Sequence, residues 1–369
     1  MKVAFIQLKK ENLKIKKQFL IKANKMIDNS AFTLGEYTHV FEKDFAAFCQ
    51  AKFCLGLGSG TDALHVALLA CGIKKGDEVI TTPVSYTATS LAIAYIGAKP
   101  VFVDVLADGN IDPSKIERVI TPKTKAILIV HLYGHACKIA AVKAIAKKHK
   151  LFLIDDCAHA HGAAYQGKKI GSLTDISCWS FYPTKNLGAW GNAGAITTNN
   201  KKLLDQAFIY KNFGGLDKNN SQVIGYNYRM DDVQAIVLDL KLKYLERSNK
   251  KKQVLAQRYV RELIGIGDIK MSPFSKDCSY YVFTINTKYR DSLQKFLTKK
   301  GIQTFIHYPL PIHLQKCFKY LGYKKGDFPI AEKHALTVLS LPFYPSIPLK
   351  EQDIVITAVK SFFNTNKDS

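Results

Sequence analysis

The sequence predicts an α/β fold, with a mostly parallel sheet covered on both faces by helices and a smaller α+β domain behind it. Three observations carry this. From Phe53 onward short apolar runs (FCLGLG, EVITT, PVFVDV, AILIVH, LFLIDD) alternate with helical segments near residues 61–71, 87–96 and 140–149. The runs are almost continuous in Val, Ile and Leu, as strands buried on both faces require. From Asp268 the pattern changes to a shorter strand (YYVFTIN) and helix (SLQKFLTKKG), which sets residues 1–249 apart as a large domain and residues 250–369 as a small one.

Taken in order, residues 1–30 carry a helix with Leu13, Phe19, Leu20, Ala23 and Ile27 on one face. A second helix, packed on the main body, follows from Val40, Phe41, Phe45 and Phe48. After the alternating segment, the apolar runs 176–181 and 193–197 read as short buried strands around a polar, Gly-rich turn. Residues 201–213 and 230–245, with a basic stretch to Leu263, read as helices. Two further segments, HYPLPIH at 307–313 and LSLPFYP at 339–345, belong to the small domain.

Composition narrows the function. With 369 residues, 47% hydrophobic and 22% charged, the chain is long enough for a proper core. No apolar run approaches the roughly 18 residues that a membrane span needs. The first residues, MKVAFIQLKKENLKIKK, lack the apolar core and cleavage site of a secretory signal, so a cytoplasmic location is expected. Eight cysteines form no CxxC pair, which argues against zinc and disulfides. The net charge of +23 invites a nucleic-acid reading, yet only six basic residues are arginine and the lysines are scattered over the whole length. Base readout favours the arginine fork and a binding arm concentrates charge, so a solvated lysine surface is the expectation.

Ligands of parallel sheets sit beyond the carboxyl ends of strands, so the residues after each run are the candidates. After FCLGLG, Gly58-Ser59-Gly60-Thr61 opens a helix. Its amides and hydroxyls can cradle a phosphate, and the same residues also make an ordinary capped turn. Tyr86, after EVITT, is either a core ring or a platform for a planar ligand. LFLIDD ends in Asp155 and Asp156, of which at most one can face a given site, because neighbouring strand residues point to opposite faces. The following Cys157-Ala158-His159-Ala160-His161 suggests metal ligation, but no third cluster with suitable spacing accompanies it. Lys185, in the turn between the two strands and set among Trp179, Phe181, Tyr182, Leu187 and Trp190, is expected to be partly desolvated. Desolvation frees the neutral amine to attack a carbonyl.

A phosphate turn, an aromatic platform, a strand-end aspartate and a shielded lysine, in this order on one sheet, are the parts of a pyridoxal phosphate site. From about Phe32 to Pro345 the chain resembles the sugar aminotransferase family called DegT/DnrJ/EryC1/StrS, of the aspartate-aminotransferase fold. The resemblance rests on GSGTDALHVAL, GDEVITTP, GAKPVFVDV, LIVHLYGH, IDDCAHAHGA, SFYPTKNLGAWGNAGA, GYNYRM, HYPLPIH and LSLPFYP. It implies that pyridoxal 5'-phosphate is held by Lys185 as an internal aldimine, with Asp156 on the pyridine nitrogen and Tyr86 stacked on the ring. Gly60, Thr61 and Ser180 match phosphate contacts. Asn227 matches an asparagine that reaches the cofactor of the neighbouring subunit in a homodimer. Tyr182, His307, Tyr308 and His313 match positions near a bound sugar nucleotide. No metal, nucleic acid or membrane partner is implied.

Two positions depart from the family pattern. His159 stands where glutamine usually lies near the cofactor's 3'-oxygen; it can donate a hydrogen bond and is expected to titrate near neutrality. Asn192 stands where aspartate is usual. The turn KNLGAWGNAGA, residues 185–195, resembles the KNLGxxGDxGA of members that aminate sugar C-3 rather than the KxxTTGEGG of those acting at C-4. The implied reaction moves an amino group, from L-glutamate, to C-3 of a dTDP-linked 3-keto-6-deoxyhexose. A UDP-linked 3-keto N-acetylhexosaminuronate or a 4-keto sugar nucleotide is the alternative, and a non-enzymatic sensor on the same fold is disfavoured by the presence of Lys185 and Asp156.

Overall fold

The computed structural model describes residues 2–217 and 219–365. Its main sheet has seven strands: β1 (Phe53–Leu57), β2 (Glu78–Thr81), β3 (Lys99–Phe102), β4 (Thr124–Val130), β5 (Phe152–Asp156), β8 (Ile176–Ser180) and β9 (Gly194–Thr198). Between β5 and β8 lies a small antiparallel pair, β6 (Ala164–Tyr165) with β7 (Lys168–Lys169). The spatial order is β1-β9-β8-β5-β4-β2-β3. Strands β3, β2, β4, β5 and β8 pair in parallel, whereas β9 runs antiparallel to both β8 and β1. The exception has a direct cause. No crossover helix separates β8 from β9, so the chain returns beside itself, and the turn that makes the return carries Lys185.

Helices cover both faces, as the sequence predicts: α1 (Lys9–Asp28), α2 (Glu36–Phe48), α3 (Gly60–Ala70), α4 (Ala88–Tyr95), α5 (Ile139–Lys148), α6 (Lys201–Lys211) and α7 (Asp232–Leu263). Alternate residues of β4 feed two separate cores. Leu128 and Val130 join Leu57, Val66 and Leu68, while Ile127 and Ile129 join Phe41, Phe45, Trp179 and Leu238. Each fully buried aliphatic side chain contributes roughly 1.5–3 kcal/mol relative to exposure.

The C-terminal part adds β10 (Phe283–Asn286), α8 (Arg290–Lys299), α9 (Pro329–Thr337), β11 (Val338–Leu341) and α10 (Leu349–Thr365), with β10 antiparallel to β11. A third core holds Leu263, Ile285, Leu293, Leu341 and Val359 together with Val3, which bridges Ile302. The N-terminal residues thus pack with the C-terminal unit. Positions 249 and 250, the sequence boundary, lie inside α7. The segments 230–245 and onward to Leu263 form one continuous 32-residue helix, about 48 Å long at 1.5 Å per residue. Its first half (Val237, Leu240, Leu245) sits in the second core and its second half (Leu255, Tyr259, Leu263) in the third.

The face of α1 differs from the expectation. Ile15, Ala23 and Met26 are buried, while Leu13, Leu20 and Ile27 are exposed. The spacing left the orientation loose, and packing against α7 chose the other edge of the stripe. Six of the eight cysteines are buried, and none is in a disulfide. Among the described residues no helix is long and apolar enough to cross a membrane.

Candidate active site

A cavity of about 450 Å³ opens at the carboxyl ends of the parallel strands. Its lining brings together Gly60, Thr61, Tyr86, Asp156, His159, Ser180, Tyr182, Lys185, His307 and Tyr308, residues separated by up to 248 positions in the sequence.

At one end stands the start of α3. Ser59 caps the helix, its Oγ accepting from the N–H of Asp62 at 3.1 Å. Gly60 is the first helical residue, and a Cβ added there would lie 2.5 Å from the Ser180 Cβ. A Cβ on Gly194, in β9, would lie 2.2 Å from the Ser59 carbonyl oxygen. These two glycines let the helix terminus close onto β8 and β9. Ser59, Gly60, Thr61 and Ser180 thus line one end of the cavity at a helix N-terminus, a setting that favours an anion.

Asp156 ends β5 and faces the cavity. The Ala158 N–H donates to its Oδ1 at 3.0 Å, and Thr89 Oγ1 donates to its Oδ2 at 2.8 Å. Ser85 Oγ in turn lies 2.7 Å from Thr89 Oγ1. Burial raises the Asp156 pKa, against the lowering pull of these donors and of Lys185. A carboxylate so placed suits a cationic partner such as a protonated pyridine nitrogen. Asp155 points to the other side. It accepts from Thr174 Oγ1 at 2.6 Å and from His131 Nε2 at 3.1 Å, and His131 Nδ1 accepts from the Cys137 N–H. The ligand atoms of His131, Asp155 and Cys157 lie within 4.8 Å of one another. Both ring nitrogens of His131 already have protein partners, so the group reads as a buried brace for β5.

Lys185 is half-buried, and desolvation brings its amine down to about 8 despite the opposing field of Asp156. The shift follows the expectation, but the ring beside the amine does not. Nζ lies 4.4 Å from the centroid of Tyr281, a residue of the C-terminal part. Trp179 and Phe181 instead pack on Phe45 in the second core, and Trp190 is exposed against Phe19. Tyr281 also stacks on His159, with centroids 4.2 Å apart, and its hydroxyl lies 3.3 Å from Thr184 Oγ1.

His159 corrects a second expectation. Its Nδ1 accepts from the Tyr133 N–H at 3.3 Å, which leaves Nε2 protonated and 3.4 Å from the Tyr308 hydroxyl. Burial, helped by Lys185 and His307, pushes its pKa well below the usual histidine range, so it stays neutral rather than titrating near neutrality. Tyr133 holds this contact from a backbone φ of 57°, a conformation costly for a residue with a side chain and frequent at functional sites. Its hydroxyl donates to the His307 carbonyl oxygen. Tyr86, 63% exposed, stands at the rim with its ring 6.0 Å from that of Tyr308. His307 Nδ1 lies 2.9 Å from Ser340 Oγ, and burial lowers its pKa to about 4.

Two expected residues lie elsewhere. His313 is outside the cavity, buried with Nε2 3.2 Å from Glu332 and its ring against Phe328. The apolar setting of HYPLPIH turns its last residue toward the first core, to which Ile312 and Phe328 belong. Asn227 is exposed, away from this chain's own cavity, and accepts from Arg229 Nε at 3.0 Å. Sequence reasoning missed Tyr281 and Thr89. Neither carries a local motif, and each meets its partner only through the fold.

A lysine amine, a buried carboxylate and a helix-terminus cradle on an aspartate-aminotransferase fold define a pyridoxal-phosphate-dependent transaminase. The family model described as DegT/DnrJ/EryC1/StrS aminotransferase matches residues 13–360, and the chain belongs to that family. It is 42% identical over 368 residues to a pleiotropic regulatory protein of Geobacillus stearothermophilus, covering 98% of this chain and 99% of that one. It is 40% identical to the dTDP-3-amino-3,6-dideoxy-alpha-D-galactopyranose transaminase of Aneurinibacillus thermoaerophilus, over 98% and 99% of the two chains. The crystal structure of DesV from S. venezuelae, in complex with a ketimine intermediate, matches with a TM-score of 0.95 at 36% identity, over 98% of each chain. This chain is accordingly a sugar aminotransferase that uses pyridoxal 5'-phosphate as its cofactor.

Proposed function

We propose that this chain transfers an amino group from L-glutamate to C-3 of a dTDP-linked 3-keto-6-deoxyhexose. The products are 2-oxoglutarate and a dTDP-3-amino-3,6-dideoxyhexose for glycan or lipopolysaccharide biosynthesis. The observation that carries the reading is the turn after Lys185. Asn192 and Ala193 of that turn line the cavity beside the amine, so its sequence bears on which sugar carbon comes within reach of Nζ. No arginine lines the cavity among the described residues, which suits a neutral sugar better than a uronate.

Pyridoxal phosphate, when bound, supplies an electron sink for the carbon that gains or loses nitrogen. The residues fit it: Gly60, Thr61 and Ser180 would hold the phosphate, Asp156 would keep the pyridine nitrogen protonated, and Tyr86 would cover the ring. His159, held below the usual histidine range by burial, would offer its Nε2–H to the 3'-oxygen. With a pKa of about 8, Lys185 Nζ can both accept and return a proton near neutral pH. Tyr182, His307 and Tyr308 border the space left for the sugar. The chain works as a cytoplasmic homodimer in which Asn227 reaches the neighbouring subunit's cofactor.

The test offers the chain glutamate with dTDP-3-keto, dTDP-4-keto and UDP-3-keto-uronate sugars, and reads the product by proton NMR. Nitrogen at C-3 of the dTDP sugar is expected. Nitrogen at C-4 overturns the argument from the turn, and exclusive use of the UDP-uronate overturns the neutral-sugar reading.

A further inference from the structure

Lys252, on α7, is a buried cation with an unusual set of partners. Its Nζ donates to Asn186 Oδ1 at 2.7 Å and to the Tyr281 carbonyl oxygen at 3.0 Å, and it lies 5.2 Å from the ring centroid of Phe343. Among the described residues no carboxylate pairs with it. Burial brings its amine down to about 7, with the Cys278 thiol the opposing influence. A buried charge without a counter-ion is costly, and a methionine of similar length would pack there with no such cost. What the cation touches supplies the reason to keep it. Asn186 is the residue next to Lys185, and Tyr281 is the ring that faces the Lys185 amine and stacks on His159.

The rest of α7 acts on the same turn from the same side. Gln234 Oε1 accepts from the Trp190 N–H at 3.0 Å, and Lys241 Nζ donates to the Gly188 carbonyl oxygen at 2.7 Å. Asn249 Oδ1 accepts from Asn186 Nδ2 at 3.1 Å, while Asn249 Nδ2 donates to the His161 carbonyl oxygen at 2.7 Å. Positions 234, 241, 249 and 252 recur at helical spacing and form one stripe facing the turn. Of these four, Lys252 is the one that reaches both the turn and Tyr281.

We propose that Lys252 is a positioning residue for Lys185: it fixes the turn that carries the amine against the Tyr281 ring, and so sets how far that amine is withdrawn from water. The proposal rests on the reading of Lys185 as the reacting amine. Loss of the bridge lets the turn and the ring separate, and the amine regains water and its ordinary basicity.

The experiment measures the pH dependence of Lys185 labelling by trinitrobenzenesulfonate, mapped by peptide, in the cofactor-free full chain, for wild type, Lys252→Met, Lys252→Arg and Asn186→Ala. In the wild type the amine should titrate near 8. Lys252→Met should still unfold cooperatively but titrate at least one unit higher, with labelling at pH 7 about tenfold slower, and Asn186→Ala should shift it the same way. Lys252→Arg, which keeps the charge and donors, should return the titration toward wild type. The visible circular dichroism of added pyridoxal phosphate should weaken in Lys252→Met and recover in the arginine variant. A wild-type titration at the ordinary lysine value overturns the reading of Lys185 itself. A lowered wild-type value with unchanged titration and dichroism in Lys252→Met overturns the role of Lys252 alone.

Discussion

Asp155 and Asp156 are neighbours in sequence with opposite duties, and substitution should separate them. Asp156→Asn removes the charge that faces the cavity, and turnover should fall by about two orders of magnitude or more while the fold holds. Asp155→Asn places an amide between the Thr174 and His131 donors. It should cost about 1–3 kcal/mol in urea melts while the folded fraction keeps its activity. Equal losses of activity from both would undo the strand-face argument. Lys185→Ala should abolish turnover without lowering the melting temperature, because the desolvated amine is itself a cost. Borohydride fixation of bound cofactor, followed by peptide mapping, should place the label on Lys185. The sequence made these residues legible because alternation on a strand and the flanking apolar runs are local properties. It could not show that Tyr281, 96 positions away, would supply the ring at Lys185, nor that burial would hold His159 neutral.

At the level of elements, the glycine at the start of α3 and the aspartate after β3 make different promises. Gly60→Ala forces its new Cβ to within 2.5 Å of the Ser180 Cβ. Helix and strand must part, so cofactor affinity should drop, and stability should fall by about 1–3 kcal/mol. Equilibrium dialysis with pyridoxal phosphate, beside a denaturation curve, reads both. Asp104 accepts from the Ala331 N–H at 3.0 Å and the Ile330 N–H at 3.3 Å, and so caps α9 from the main sheet. Asp104→Ala should therefore cost about 0.5–2 kcal/mol, seen as a lower urea midpoint. Periodicity located α3, α4 and α5 to within a residue or two, since their apolar faces meet a sheet. It read α7 as separate pieces because the helix changes partners midway, and the apolar stripe moves with them.

For the whole molecule, buried and half-buried histidines govern acid stability. Seven of the ten, His65, His135, His159, His161, His307, His313 and His334, are held below the ordinary pKa of 6.5, chiefly by burial. The unfolded chain therefore binds more protons between pH 6.5 and about 4, and stability must fall as pH falls through that window. For His307 and His334, each at about 4, the loss approaches about 3 kcal/mol apiece. Asp62 and Asp156, whose pKa values burial raises, oppose the trend as two groups against seven. Urea midpoints of the cofactor-free chain at pH 7 and pH 4.5 should differ accordingly, and equal midpoints would contradict the assignment. The fold class was readable at this scale because strand runs buried on both faces leave a compositional mark. The antiparallel place of β9 was not, because pairing direction depends on what connects the strands.

The unbroken course of α7 bears on how the chain can be cut. A protease needs several residues of extended backbone, and a helix anchored in two cores offers none along its length. Under native conditions no early cleavage should occur between residues 232 and 263, however many lysines that stretch presents to trypsin. Fragments ending at 249 should be recovered only after global unfolding, because one continuous helix spans the boundary that the sequence pattern suggests.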